Sequence, residues 1–148
     1  MARRSQRLAL VKTLAERDEQ KASQALGAAR QREQQAKQQI AQLEAYQEEY
    51  ITTLHAKGEA GISARDWMSQ QQFMGRLEGA LEQQVQILRQ VGQDIDKKMK
   101  QWQQARARVK AIEAWIVRVE AQEQLELSRK EQKALDELVS FYRRSQDN

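Results

Sequence analysis

Side chains able to do acid–base, nucleophilic or metal chemistry are few in this sequence, and none are grouped as such chemistry requires. There is one histidine and no cysteine. Thiolate nucleophiles, thiolate metal sites and disulfide frameworks are therefore excluded. His55 falls at the end of a helical pattern, where an imidazole complements the helix dipole. To act as a base or a ligand it would need convergent partners. Asp94 and Asp96 sit two apart, so on a helix they point to different faces and cannot share a proton or a cation. The six glycines are scattered and form no phosphate loop. The pattern predicts no catalysis, no cofactor and no metal ion.

One concentration of charge stands out. Between Lys97 and Lys110 lie Lys97, Lys98, Lys100, Arg106, Arg108 and Lys110, with no acid and with Trp102 among them. Such a run suits an anionic partner, either nucleic acid, a membrane surface or an acidic protein. Trp102, however, belongs to an apolar seam row, whereas stacking on bases needs an outward ring. A solvated helix face accounts for the same six charges. A basic coiled-coil scaffold or nucleic-acid-binding protein is the alternative to the reading developed below.

The elements that carry these residues follow from composition. The 148 residues include no proline, and about one in six is glutamine. Ala, Leu, Glu, Lys and Arg fill most of the rest, which suits long helices. The mean hydropathy of −0.89 leaves too little apolar surface for a thick core but enough for one seam. No run approaches the roughly 18 apolar residues of a membrane span, and the basic start Met1-Ala-Arg-Arg-Ser is followed by an amphipathic stretch, not by a signal-peptide core.

Gly58 and Gly61 can both take the positive φ that ends a helix, and Ser63 with Asp66 resembles the start of the next. The spacing predicts a helix over about 4–56, a turn over about 57–63 and a helix over about 64–144, all in a single coiled-coil domain, 1–148. The first helix carries Leu8, Ala15, Ala22, Ala29, Ala36, Leu43 and Tyr50 in one heptad row. Beside it runs a row partly filled by Val11, Ala25 and Tyr46, and one position further round by Leu26, Ile40 and Leu54. The second helix carries Trp67, Met74, Leu81, Leu88, Ile95, Trp102, Val109 and Ile116, with Leu77, Val91, Ala105, Ile112 and Val119 as companion row. The fold class is all-α, an antiparallel two-helix coiled-coil hairpin whose second helix is longer and projects.

A turn centred near residue 60 would bring Leu8 close to Ile112 and leave residues beyond about 118 without a partner. The seam row fails at Glu123 and Lys130, and the apolar residues change phase to Leu125, Leu127, Ala134, Leu135, Leu138, Val139, Phe141 and Tyr142. An unpaired helix with an apolar stripe is a surface for another protein.

Near the turn both helices carry more apolar surface than one seam covers. In one arrangement Ile40, Ile51 and Leu54 pack on Trp67, Met74, Leu81 and Val85, which turns Tyr46 and Tyr50 outward beside Phe73 and Leu77. In the other, Tyr46, Tyr50 and Leu77 are core. Spacing leaves both open.

Several short blocks resemble the FliJ family, soluble coiled-coil components of the flagellar type III export apparatus. They are Tyr46-Gln47-Glu48-Glu49-Tyr50, Gly61-Ile62, and Arg65-Asp66-Trp67 leading into Gln71-Gln72-Phe73, followed by Leu77-Glu78 and Ala80-Leu81-Glu82-Gln83. The resemblance covers the whole chain. It implies a stalk-like rod, a monomer when isolated, whose paired termini enter the hexameric ring of the export ATPase. It also implies binding to the cytoplasmic domain of the export gate, handling of substrate-specific export chaperones, and a place in the cytoplasm at the inner membrane's cytoplasmic face, in the service of motility and chemotaxis. The family's gate-binding surface carries over onto Gln39, Leu43, Tyr46, Tyr50, Phe73, Leu77 and Ala80. At position 84, where the family pattern can hold histidine, this chain has Gln84. For the ATPase, the expected contacts are Arg3, Arg4, Arg7, Leu125, Leu135, Leu138, Phe141 and Tyr142.

Overall fold

The computed structural model describes residues 3–147; Met1, Ala2 and Asn148, the ends of the expected domain, lie outside the described residues. Two helices account for nearly everything: α1, Arg4–Ala60, and α2, Ala64–Asp147. They pack against each other as an all-α helical hairpin. The turn is Gly61-Ile62-Ser63, shorter than the seven residues the glycine pair suggested, because Gly58 stays helical and only Gly61 takes a positive φ, of 87°. Gly61 N–H donates to the Gly58 carbonyl at 3.3 Å, the inner bond of a glycine-terminated helix end. At the start of α2, Ser63 Oγ accepts the Asp66 N–H at 3.2 Å and the Ser63 carbonyl accepts the Trp67 N–H at 3.0 Å. Ser63 is therefore the N-cap, as its spacing to Asp66 predicts.

The chain divides into two compact units. A terminal unit comprises Met1–Gln20 and Gln103–Asn148, and a turn unit comprises Lys21–Trp102. In the terminal unit Ala15, Val109 and Ile112 form a buried cluster against which Ile116 packs. In the turn unit Leu26, Ala29 and Ala36 are buried. Alanine at these seam positions admits a close partner helix but removes little apolar area from water, so each contributes far less than a leucine at ~25 cal/mol per Å².

Two expectations are corrected. The register is displaced by about five residues, because the turn is centred on Ile62. Ala15, not Leu8, lies with Ile112, and Lys12 faces Glu113 at 3.7 Å. Of the two sets expected in the second row of α1, Val11 and Tyr46 are exposed, and the row is the one a position further round that holds Leu26, Ile40 and Leu54. It runs through Ser5, Lys12, Glu19, Leu26, Glu33, Ile40, Gln47 and Leu54, every one at least half-buried. Charged side chains can fill seam positions because their stems lie on apolar surface while their ends reach partners at the edge. Lys12 pairs with Glu113, and Glu19 pairs with Arg106 at 3.4 Å. In the turn unit Arg32 pairs with Asp94 at 3.2 Å. Partly exposed pairs of this kind contribute at most ~1 kcal/mol each; they serve mainly to fix register.

Candidate partner-binding surfaces

In the turn unit, the heptad alternation explains how the resemblance residues come together. Leu43 and Tyr50 lie in the seam row of α1, while Gln39 and Tyr46, four residues before each, lie about 40° to one side of it, on one flank. On α2, Leu77 and Gln84 lie in the companion row and Phe73 and Ala80 on the matching flank. Antiparallel packing places these two flanks on the same side. The contact that fixes the match is Tyr50 with Phe73, ring centroids 4.7 Å apart and tilted by 45°. From that pair, one heptad step brings Leu43 opposite Ala80, and half a step brings Tyr46 opposite Leu77.

Exposure within the strip is uneven. Tyr46 is 62% exposed and Phe73 44%, and Gln39 is exposed as well. Leu43, Tyr50, Leu77, Ala80 and Gln84 are half-buried. Neither arrangement offered by the spacing is the observed one: Tyr46 is outside, whereas Tyr50 and Leu77 are in the seam edge. Ile51, Trp67 and Val85, expected to pack together beneath the strip, are instead exposed.

The residues expected at the ATPase sit in the terminal unit. Arg3, Arg4 and Arg7 are exposed around the first turn of α1, and Arg4 lies over the Trp115 ring at 5.8 Å. Leu125, Leu135, Leu138, Phe141 and Tyr142 are all exposed on α2, which continues as helix to Asp147. Leu135, Leu138 and Tyr142 recur at three and four residues and so share one stripe. From Gln124 onward every described residue is exposed.

Glu123 marks where the pairing of α1 and α2 ends, and its role escaped sequence reasoning, which took it for a failure of the seam. The first turn of α1 has no acidic residue, and Arg3, which precedes it, has no side-chain acceptor to cap it. The Gln6 side chain reaches back to accept the Arg3 N–H at 3.1 Å, and Glu123 supplies the rest. Its Oε1 accepts the Ser5 N–H at 3.1 Å and its Oε2 accepts the Ser5 hydroxyl proton at 2.7 Å. This is an N-cap delivered by the other helix. The Ser5 hydroxyl and N–H, aided by Arg3, outweigh partial desolvation and hold the Glu123 carboxyl below its ordinary range. A carboxylate at the expected phase, seven residues beyond Ile116 and facing an uncapped basic helix start, is the signal that could have found it.

In the basic run, Arg106 is engaged with Glu19, and Trp102 and Lys98 are half-buried. Among the described residues no helix is long and apolar enough to cross a membrane.

Comparison with known proteins gives the family. The family model described as flagellar FliJ protein matches residues 4–147. The flagellar FliJ protein of Escherichia coli (strain K12) is 35% identical over 132 residues, covering 89% of this chain and 90% of the relative. That of Salmonella typhi matches with the same identity and coverage. With a heptad-paired helical hairpin in place and the match running from the first residue of α1 to the last of α2, this chain belongs to the FliJ family of flagellar export proteins.

Proposed function

We propose that the chain is a non-enzymatic coupling component of flagellar export, with each unit serving one partner. The turn unit presents the strip of Gln39, Leu43, Tyr46, Tyr50, Phe73, Leu77, Ala80 and Gln84 to the cytoplasmic domain of the export gate. The terminal unit presents Arg3, Arg4 and Arg7 with the exposed apolar residues Leu125, Leu135, Leu138, Phe141 and Tyr142 of α2 to the export ATPase ring, as a central stalk would. Export chaperones with their substrates are further partners. The chain acts from the cytoplasm, at the membrane's inner face, through these partners, and is a monomer when isolated.

The observation that carries the reading is the solvent exposure of Tyr46 and Phe73 on one flank, about one helical turn apart, at 62% and 44%. Large aromatic rings left in water on a well-paired helical surface are the usual anchors of an interface. The strip's half-buried members hold those rings in place, since Phe73 leans on Tyr50. The tail supports the second contact: it stays helical with no partner helix beside it, so its apolar side chains are available.

The test is a two-arm binding experiment with purified gate domain and ATPase. The double variant Tyr46→Ala/Phe73→Ala loses the gate and keeps the ATPase. A chain ending at Gln124, which retains the Glu123 cap, does the reverse. Retention of gate binding by the double variant removes the strip assignment, and loss of both partners in either variant points to unfolding.

A further inference from the structure

The opposite flank of the turn unit carries a second surface. Tyr50 takes the seam, so Ile51, about 100° further round the helix, is turned to the side away from Tyr46. There Ile51, His55 and Gly58 of α1 and Trp67, Met74 and Glu78 of α2 line an open groove of about 790 Å³. Part of its apolar lining is in water: Trp67 is 50% exposed and Ile51 44%, and Val85, eighteen residues and so five whole turns beyond Trp67 on the same stripe, is exposed as well. Gly58 leaves the floor open, since a Cβ built there would meet nothing within 4 Å.

The rim has one sign of charge. Glu59 and Glu78 line the groove. Glu44 and Glu48 stand seven and three residues before Ile51, and Glu82 four after Glu78, so all extend the same two helical stripes. All five are exposed, and among the described residues none is held in an ion pair. The cations of this stretch, Lys57, Arg65 and Arg76, do not line it.

We propose that this flank is a docking site for a basic amphipathic helix of another protein. Its apolar side chains would lie against Trp67, Ile51 and Met74, and its lysines or arginines between the two rows of glutamates. The chemistry selects this occupant. An apolar groove between two helices takes a helix by its apolar face, a methionine and an exposed tryptophan adapt to such a face, and a rim of unpaired glutamates repels acidic segments and anionic surfaces while attracting cationic ones. The site is on the other side of the hairpin from Tyr46 and Phe73 and does not depend on their assignment.

The probe is a labelled Leu/Lys helix of about five turns, titrated into the full chain by fluorescence anisotropy. A scrambled peptide of the same composition and a Leu/Glu version serve as comparators. The Leu/Lys helix binds with micromolar affinity that falls as salt rises; the scrambled peptide and the Leu/Glu version bind at least about tenfold more weakly. Glu78→Lys/Glu82→Lys and, separately, Ile51→Ser each weaken binding by about tenfold or more, with helix content by circular dichroism unchanged. Tyr46→Ala/Phe73→Ala leaves it unaltered. Equal binding of the scrambled peptide, indifference to the charge reversal, or loss on changing Tyr46 and Phe73 overturns the proposal. So does a stable dimer of the chain that Glu78→Lys/Glu82→Lys dissociates, because the groove would then be covered by a second copy.

Discussion

Replacing Tyr46 and Phe73 separately distinguishes a binding surface from a piece of core. Taking about 200 Å² for an aromatic side chain, the 62% of Tyr46 left in water amounts to ~120 Å². At ~25 cal/mol per Å² its burial by a partner contributes at most ~3 kcal/mol. The 44% of Phe73 amounts to ~90 Å² and at most ~2 kcal/mol. Ordering costs reduce both, so Tyr46→Ala weakens gate binding by about tenfold to a hundredfold and Phe73→Ala by somewhat less. Stability runs the other way. Phe73 buries a larger share and contacts the Tyr50 ring at 4.7 Å, a pairing that adds ~0.5–1.5 kcal/mol. Phe73→Ala is therefore less stable than Tyr46→Ala by about 1–2 kcal/mol, or roughly 5 °C in Tm for a chain of this size. Calorimetric titration with the gate domain and thermal unfolding by circular dichroism measure the two effects. The reasoning fails if Tyr46→Ala binds as tightly as the parent, or if it destabilises the chain as much as Phe73→Ala does.

Other consequences follow from the cap, the turn and the seam. Because the folded state holds the Glu123 carboxyl below its ordinary value of 4.5, its contribution to stability is present above that pH. It is lost as pH falls through the lower folded value. Protection of the Ser5 amide in hydrogen exchange should decline over that acid range in the parent chain, and Glu123→Gln should lower protection at neutral pH and flatten the decline. Gly61→Ala places a Cβ at φ 87° and should cost ~1–2 kcal/mol, whereas Gly58→Ala, in the last turns of α1, should stabilise by up to ~1 kcal/mol; opposite shifts in urea midpoint check the pair. Ala29 is fully buried, so Ala29→Leu should overpack the seam and cost ~1–3 kcal/mol, while the exposed neighbour Ala28 should accept leucine with little change in Tm.

Much of this molecule is written locally. Heptad spacing identified both rows of α2, from Met74 through Val119, and the alanine row of α1, because a 3.5-residue repeat is a property of consecutive residues. Ser63 and Gly61 announced the reversal for the same reason: an N-cap and a positive φ are decisions of a few residues. The blocks around Tyr46 and Phe73 indicated the family before any fold was known.

Register and sidedness were not local. Moving the turn centre from about 60 to Ile62 slid every cross-helix pair, so that Ser5 found Glu123 and Ala15 found Ile112. Hydrophobicity could not reveal that Lys12, Glu19 and Glu33 occupy a seam row, since their position depends on stems packing against a helix dozens of residues away. Nor could it decide between Tyr50 and Ile51, adjacent apolar residues of similar promise. In the folded chain the Tyr50 ring packs on Phe73 at the seam edge, while Ile51 and Trp67 face water on the other flank. Sequence thus determined what each helix is; contact between helices determined which of its faces remain for partners.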